Sequence, residues 1–249
     1  MTRAAEEPGR PIPPPRQQTI PPLWRLEGDR ASISQGALLG EVRLARPARG
    51  ITELSYLQPL PGLRLLGVAG AGLTDEHAAP PADAYERGGD LVLTCAETAV
   101  RPLRVQVYWR VLPSEALPAG AAGFDLQVSV QTSLLDADST LWTETTAPAR
   151  HVARLANTAA DCWLFRLPDS RYCYAEMIHP ADDRGCALSR GANAADGWLL
   201  RRSLFGERLE KGVILRARLR GLLLPRQDDE QGAIAASAAF MASQLPLTT

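Results

Sequence analysis

Two stretches carry side chains whose types and spacing could do chemistry. In the first, Arg104, Gln106, Tyr108 and Arg110 alternate along one run, and Asp125, Gln127, Ser129, Gln131 and Ser133 along the next. Planar amides, guanidinium groups and a phenol match the hydroxyl-rich edge of a sugar, through paired hydrogen bonds and ring stacking. Arg104, Gln106, Tyr108, Arg110, Gln127 and Gln131 are therefore candidate ligand-binding residues. The structural alternative is a solvated outer sheet face, which antiparallel alternation produces by default. Amides and a tyrosine in place of Lys and Glu are what point beyond it.

The second stretch is Tyr172-Cys173-Tyr174-Ala175-Glu176-Met177-Ile178-His179-Pro180. Glu176 and His179 are the candidates for acid/base catalysis. On a regular strand Glu176 shares a face with Tyr172 and Tyr174, while His179 falls on the other with Cys173 and Met177, so a dyad would need a bulge. Pro180 holds His179 extended at the strand end, where a hydrogen-bonded terminus is the simpler reading. Tyr174 and Glu176 join the ligand-binding candidates. A carboxylate beside two phenols is either hydrogen-bonded into them or set to bind a ligand.

Other constellations are weaker. Cys162, Cys173, His179 and Cys186 lack the closely spaced pairs of structural zinc, so no metal is assigned. Asp136-Ala137-Asp138-Ser139 lacks the glycine and distal glutamate of a calcium loop and reads as Asx turns. Arg216, Arg218 and Arg220, with Arg201 and Arg202 nearby in sequence, could grip an anion. Cross-strand acids would make them a structural ladder instead, which is the preferred reading. No nucleophile elbow, phosphate loop or dinucleotide fingerprint occurs, and no cofactor is assigned.

The elements that must position these groups are strands. Leu103, Val105, Val107, Trp109 and Val111 alternate with the polar set of the first run, and Leu126, Val128 and Val130 with that of the second. Period two is the signature of half-buried strands, and the Pro113–Gly123 break suits a connection within an antiparallel pair. Further strands are predicted at 23–26, 31–34, 38–44, 51–57, 63–68, 90–96, 140–146, 152–155 and 198–204. A hairpin is predicted from Asp161–Leu167 and Tyr172–Ile178, and a last strand over Val213–Leu223. Residues 70–82 read as a loose segment, 185–197 as a small-residue loop and Glu207–Lys211 as a single helical turn. The alanine-rich run from Gln231 to Leu245 predicts a short C-terminal helix docked through Ile234, Met241 and Leu245. Roughly a dozen strands with almost no helix imply an all-β fold, a large antiparallel β-sandwich.

Composition bounds the rest. The 249 residues are 45% hydrophobic and 22% charged, with a net charge of −1, so no global basic field invites nucleic acid. Lys211 is the only lysine among the 27 basic residues. No leader-like apolar core opens the chain and no run could cross a bilayer, so a cytoplasmic setting with free buried thiols is expected. Residues 1–22, with Pro13-Pro14-Pro15 and Pro21-Pro22, are expected to be a disordered tail, and 23–249 a single domain.

The central pair and the Tyr172–Pro180 hairpin resemble galactose-mutarotase-like proteins. The resemblance spans residues 24–224 and is architectural. It implies a super-sandwich with a polar concave sheet that holds sugars, in a bacterial protein. The mutarotase enzymes of that group carry a catalytic His in an Asn-His-x-Tyr-type motif and a general-base Glu. Here the histidines sit in Glu76-His77-Ala78, Arg150-His151-Val152 and Ile178-His179-Pro180, so the catalytic residues do not carry over. The resemblance implies a member without the enzymes' machinery. Three functions follow as expectations: a non-enzymatic saccharide-binding protein, an epimerase- or lyase-like enzyme with Glu176 as base, and a structural or assembly protein.

Overall fold

The computed structural model describes residues 23–74, 78–191 and 197–243. The expected tail at 1–22, His77 and Leu245 lie outside the described residues.

Two eight-stranded antiparallel sheets stack face to face. The first runs β1 (Trp24–Glu27), β2 (Arg30–Gln35), β3 (Leu38–Arg43), β4 (Ile51–Tyr56), β5 (Arg64–Gly70), β11 (Leu141–Ala147), β16 (Trp198–Phe205) and β15 (Cys186–Arg190). The second runs β12 (His151–Arg154), β13 (Asp161–Arg166), β14 (Tyr172–Ile178), β18 (Leu215–Pro225), β9 (Ala122–Gln131), β8 (Arg104–Val111), β7 (Asp90–Cys95) and β6 (Asp83–Arg87). A two-stranded ribbon joins β10 (Ala137–Asp138) to β17 (Arg208–Leu209). The all-β class is that read from the alternation. The sheets differ from expectation at their margins: residues 185–197 contain β15, β6 emerges from the end of the loose segment, and 207–211 holds β17 in place of a helical turn.

The alternation sorts the core as strand geometry requires. Val105, Val107 and Trp109 of β8 and Leu126, Val128 and Val130 of β9 are fully buried between the sheets. The indole N–H of Trp109 donates to the carbonyl oxygen of Leu66 in the first sheet, at 3.1 Å. A satisfied indole is what allows so large a side chain to be enclosed.

The helix α1 (Asp229–Ala242) lies on the outer face of the second sheet. It docks through Ala233, Ala236, Ser237 and Phe240, spaced for one helical face, with the expected Met241 packed half-buried beside them and Ile234 left exposed. Small side chains bring the helix close to Leu164, Cys173, Ala175 and Leu222. Arg166 then clamps its first turn, donating twice to Asp229 and once to Glu230. The aliphatic residues looked like better anchors, but close approach rewards alanine.

One close approach is unforgiving. A Cβ on Gly67 would lie 2.1 Å from the carbonyl oxygen of Ala48, in the 3₁₀ turn Pro47–Arg49 that crosses β5. Backbone cannot swing aside as a side-chain tip can. Gly67→Ala is expected to cost about 2 kcal/mol, read as a drop of just under 1 M in the urea midpoint. An unchanged midpoint would show that the turn lifts off freely.

Candidate functional site

The polar face of the central pair forms the floor of a groove of about 740 Å³ on the outside of the second sheet. Register places Tyr108 opposite Gln127, Gln106 opposite Ser129 and Arg110 opposite Asp125. On the far side of β9, Arg216, Arg218 and Arg220 of β18 stand opposite Ser129, Gln127 and Asp125. Strands in an antiparallel ladder lie about 4.8 Å apart, so these side chains form transverse rows. The end of α1 supplies one wall: Ser243 lines the groove, and Phe240 lies under the guanidinium groups of Arg218 and Arg220 at 4.6 and 5.0 Å.

One row is an ion-pair ladder. Arg110 donates twice to Asp90 of β7, at 2.6 and 2.8 Å, and Arg220 twice to Asp125, at 2.6 and 2.9 Å. Bidentate pairing fixes both guanidinium planes. Hydrogen bonding to Asp90 raises the Arg110 pKa. Arg220 thus takes the ladder role expected of the arginine row. Arg218 instead donates to the Ser243 hydroxyl, and burial lowers its pKa.

The other rows are polar and mostly open. The Tyr108 hydroxyl donates to Gln106 Oε1 at 3.3 Å, and the Gln106 amide to the Thr94 hydroxyl at 3.3 Å. Burial and nearby Tyr85 push the Tyr108 phenol up, against the pull of Arg87 and Arg216. Gln127 and Gln131 make no side-chain hydrogen bond among the described residues, so their amides face the groove with donors and acceptors to offer.

Of the eight binding candidates, Gln106, Tyr108, Arg110, Gln127 and Gln131 line the groove. Arg104 is exposed beyond its rim. Tyr174 and Glu176 are separated from it by the sheet. Both are fully buried on the inner face of β14. Glu176 Oε2 accepts from the Thr145 hydroxyl at 2.5 Å and the Tyr174 hydroxyl at 2.9 Å, and Oε1 accepts from Arg202 Nε at 3.1 Å. Burial lifts the Tyr174 phenol well above its ordinary value. Gly221 makes room for that phenol, since a Cβ there would lie 2.5 Å from its oxygen. This is the hydrogen-bonded alternative for the phenol–carboxylate face. It sits between the sheets because β14 is buried on both faces, inside by the sandwich and outside by α1.

The candidate acid/base residues are not brought together either. His179 lies past the end of β14, its Nδ1 accepting from the Ala181 amide at 3.2 Å. Cys162 and Cys173 face α1 as small core residues, their thiols pushed up to about 12 by burial. Asp138 accepts from both the amide and the hydroxyl of Thr140, an Asx turn. Among the described residues no His/Cys/Asp/Glu cluster has the makings of a metal site.

Arg87, Asp90, Arg216 and Ser243 line the groove without having been singled out for it. Arg87 was hidden in a short edge strand after Pro80-Pro81. Arg216 was visible, but as part of a ladder. A second depression of about 790 Å³ lies over β2–β4, where Glu41 already pairs with Arg30 and Arg43.

No protein-family model matches the sequence, and neither does any curated protein. Solved structures do. A candidate aldose 1-epimerase from Klebsiella pneumoniae superposes with a TM-score of 0.58 at 7% identity, covering 88% of this chain and 86% of that one. A galactose mutarotase related enzyme from Lactobacillus acidophilus gives 0.50 at 6% identity, over 78% and 96%. The fold is galactose-mutarotase-like. At these identities the match speaks to the super-sandwich alone; which groups bind or react must be argued from the side chains. No helix among the described residues is long and apolar enough to cross a membrane.

Proposed function

We propose that the protein is a non-enzymatic saccharide-binding protein whose ligand lies in the outer groove of the second sheet, over β8 and β9. The observation that carries this reading is the groove's lining: a phenol and three amides, with both carboxylates committed to arginines. Amides and a tyrosine satisfy sugar hydroxyls and stack on ring faces without transferring protons. The fold shared with a protein described as an aldose 1-epimerase supports a saccharide as the ligand class.

Chemistry at the groove would need a free acid or base there. Its lining includes no histidine or glutamate among the described residues, and Glu176 faces the other side of the sheet. The enzyme reading therefore predicts a reactive Glu176 that the ligand cannot touch without the sandwich opening. The protein is expected to leave the anomerisation rate of free aldoses, followed by NMR, at its uncatalysed value.

Tyr108→Ala and Gln127→Ala are each expected to weaken oligosaccharide binding about tenfold, the consequence of losing one well-placed polar or stacking contact. Calorimetric titration against a panel of neutral and acidic oligosaccharides reads this directly. Both side chains stand on the outer face, so melting temperatures should hold near wild type. Undiminished binding in both variants would remove the groove from consideration.

A further inference from the structure

The groove carries more positive charge than its own carboxylates neutralise. Among the described residues Asp90 and Asp125 are its two acids, and each is held by one arginine in a bidentate pair. Arg87 and Arg216 also line it, and neither makes an ion pair among the described residues. They stand on opposite sides of Tyr108: Arg87 on β6, two strands away, and Arg216 on β18, two strands away in the other direction. Both are near enough to act electrostatically on the Tyr108 phenol. Two guanidinium groups thus flank the same floor from either side, with amides between them.

Arg216 is half-buried and Arg87 exposed, and both hold donors that the groove's own acids do not claim, so an anion there gains charge-assisted hydrogen bonds. Resting on the saccharide-binding reading above, we propose that the ligand is an anionic saccharide. Arg87 and Arg216 grip its charged substituents, while Gln106, Gln127 and Gln131 read the hydroxyls. A carboxylate and a phosphate or sulfate ester each offer a pair of oxygens to the planar donor fork of arginine, so either would satisfy the geometry.

The test is a calorimetric titration of the full chain with tetragalacturonate, glucose 6-phosphate, maltotetraose, glucose and inorganic phosphate. The expected result is binding of an acidic sugar at least tenfold tighter than its neutral counterpart, at low salt. The preference should shrink several-fold between 50 and 500 mM salt and fall below about threefold in Arg216→Gln and Arg87→Gln. Preference for the uronate or for the sugar phosphate identifies the anion. Equal binding of neutral and acidic sugars would overturn this inference and leave the saccharide groove standing, as would a preference that both arginine variants retain. Inorganic phosphate binding as tightly as glucose 6-phosphate would show an anion site that ignores sugar. No binding by any probe would overturn the proposed function itself.

Discussion

Arg202→Met is expected to lower the melting temperature by on the order of 10 °C at neutral pH, from a loss of about 3–5 kcal/mol. The side chain is wholly enclosed between the sheets. Its Nε donates to Glu176, and its Nη1 to Asp161 at 2.6 Å. Asp161 keeps a second partner in Arg154, at 2.5 Å and nearer solvent. Among the described residues Glu176 has no other cation. With Arg202 gone, its carboxylate is left in the interior with two hydroxyl donors.

The sign of the pH dependence follows. In the wild type, burial pushes the Asp161 carboxyl up, but hydrogen bonds and charge from Arg202 and Arg154 outweigh it and hold its pKa below the ordinary value. That contribution is present above the unfolded aspartate value and fades as pH falls through the folded one. The gap between wild type and variant therefore narrows in acid. The double variant Arg202→Met/Glu176→Gln should recover part of the loss, since a neutral amide can be hydrogen-bonded where a lone carboxylate cannot. A single variant within about 1 kcal/mol of wild type at pH 7, by urea denaturation, would refute the account.

This network also marks where the sequence stopped being readable. Alternation reports that polar and apolar side chains fall on opposite faces of a strand. It assigned Gln106, Tyr108 and Gln127 to an outer face because β8 and β9 each have one dry side. It fails on β14, where both faces are dry and the polar face is the inner one. For Glu176 beside Tyr174 the hydrogen-bonded and ligand-binding readings stayed open, because the deciding partner, Arg202, comes from the other sheet. Nothing in the Arg201-Arg202 dipeptide says that Arg201 reaches outward to Glu144 while Arg202 points in. Edge strands escaped for another reason. β6, β15 and β17 are short and largely solvated, so no strong apolar rhythm marks them. Arg87 was lost with β6, and with it half of the facing arginine pair.

Trp109→Ala should destabilise the protein by about 3–5 kcal/mol, through both lost burial and the cavity left behind. The position does more than fill space. Its indole holds the carbonyl of Leu66, while the Leu66 amide donates to the Thr145 hydroxyl at 3.1 Å. Leu66 has φ of 57°, the left-handed region, within a strand whose register against β11 slips nearby. Such backbone costs on the order of 1–3 kcal/mol and persists where its surroundings over-determine it. Here the Trp109 side chain fixes one end of the residue. The other end bonds to a threonine whose hydroxyl goes on to Glu176. Trp109 and Arg202 therefore act on the same strained residue from different sides, and their losses should not add. A double-mutant cycle with Arg202→Met is expected to show a coupling of at least about 0.5 kcal/mol, where independent sites would show less. Trp109→Phe separates the contributions, because it keeps much of the ring while removing the donor: about 1–3 kcal/mol should go with the orphaned carbonyl. Because Tyr108 and Arg110 stand on the reverse face of the same strand, Trp109→Ala should also weaken groove binding, and Trp109→Phe less so. Phe and Ala variants of equal stability would mean that the indole N–H, not its bulk, positions β8 beneath the groove.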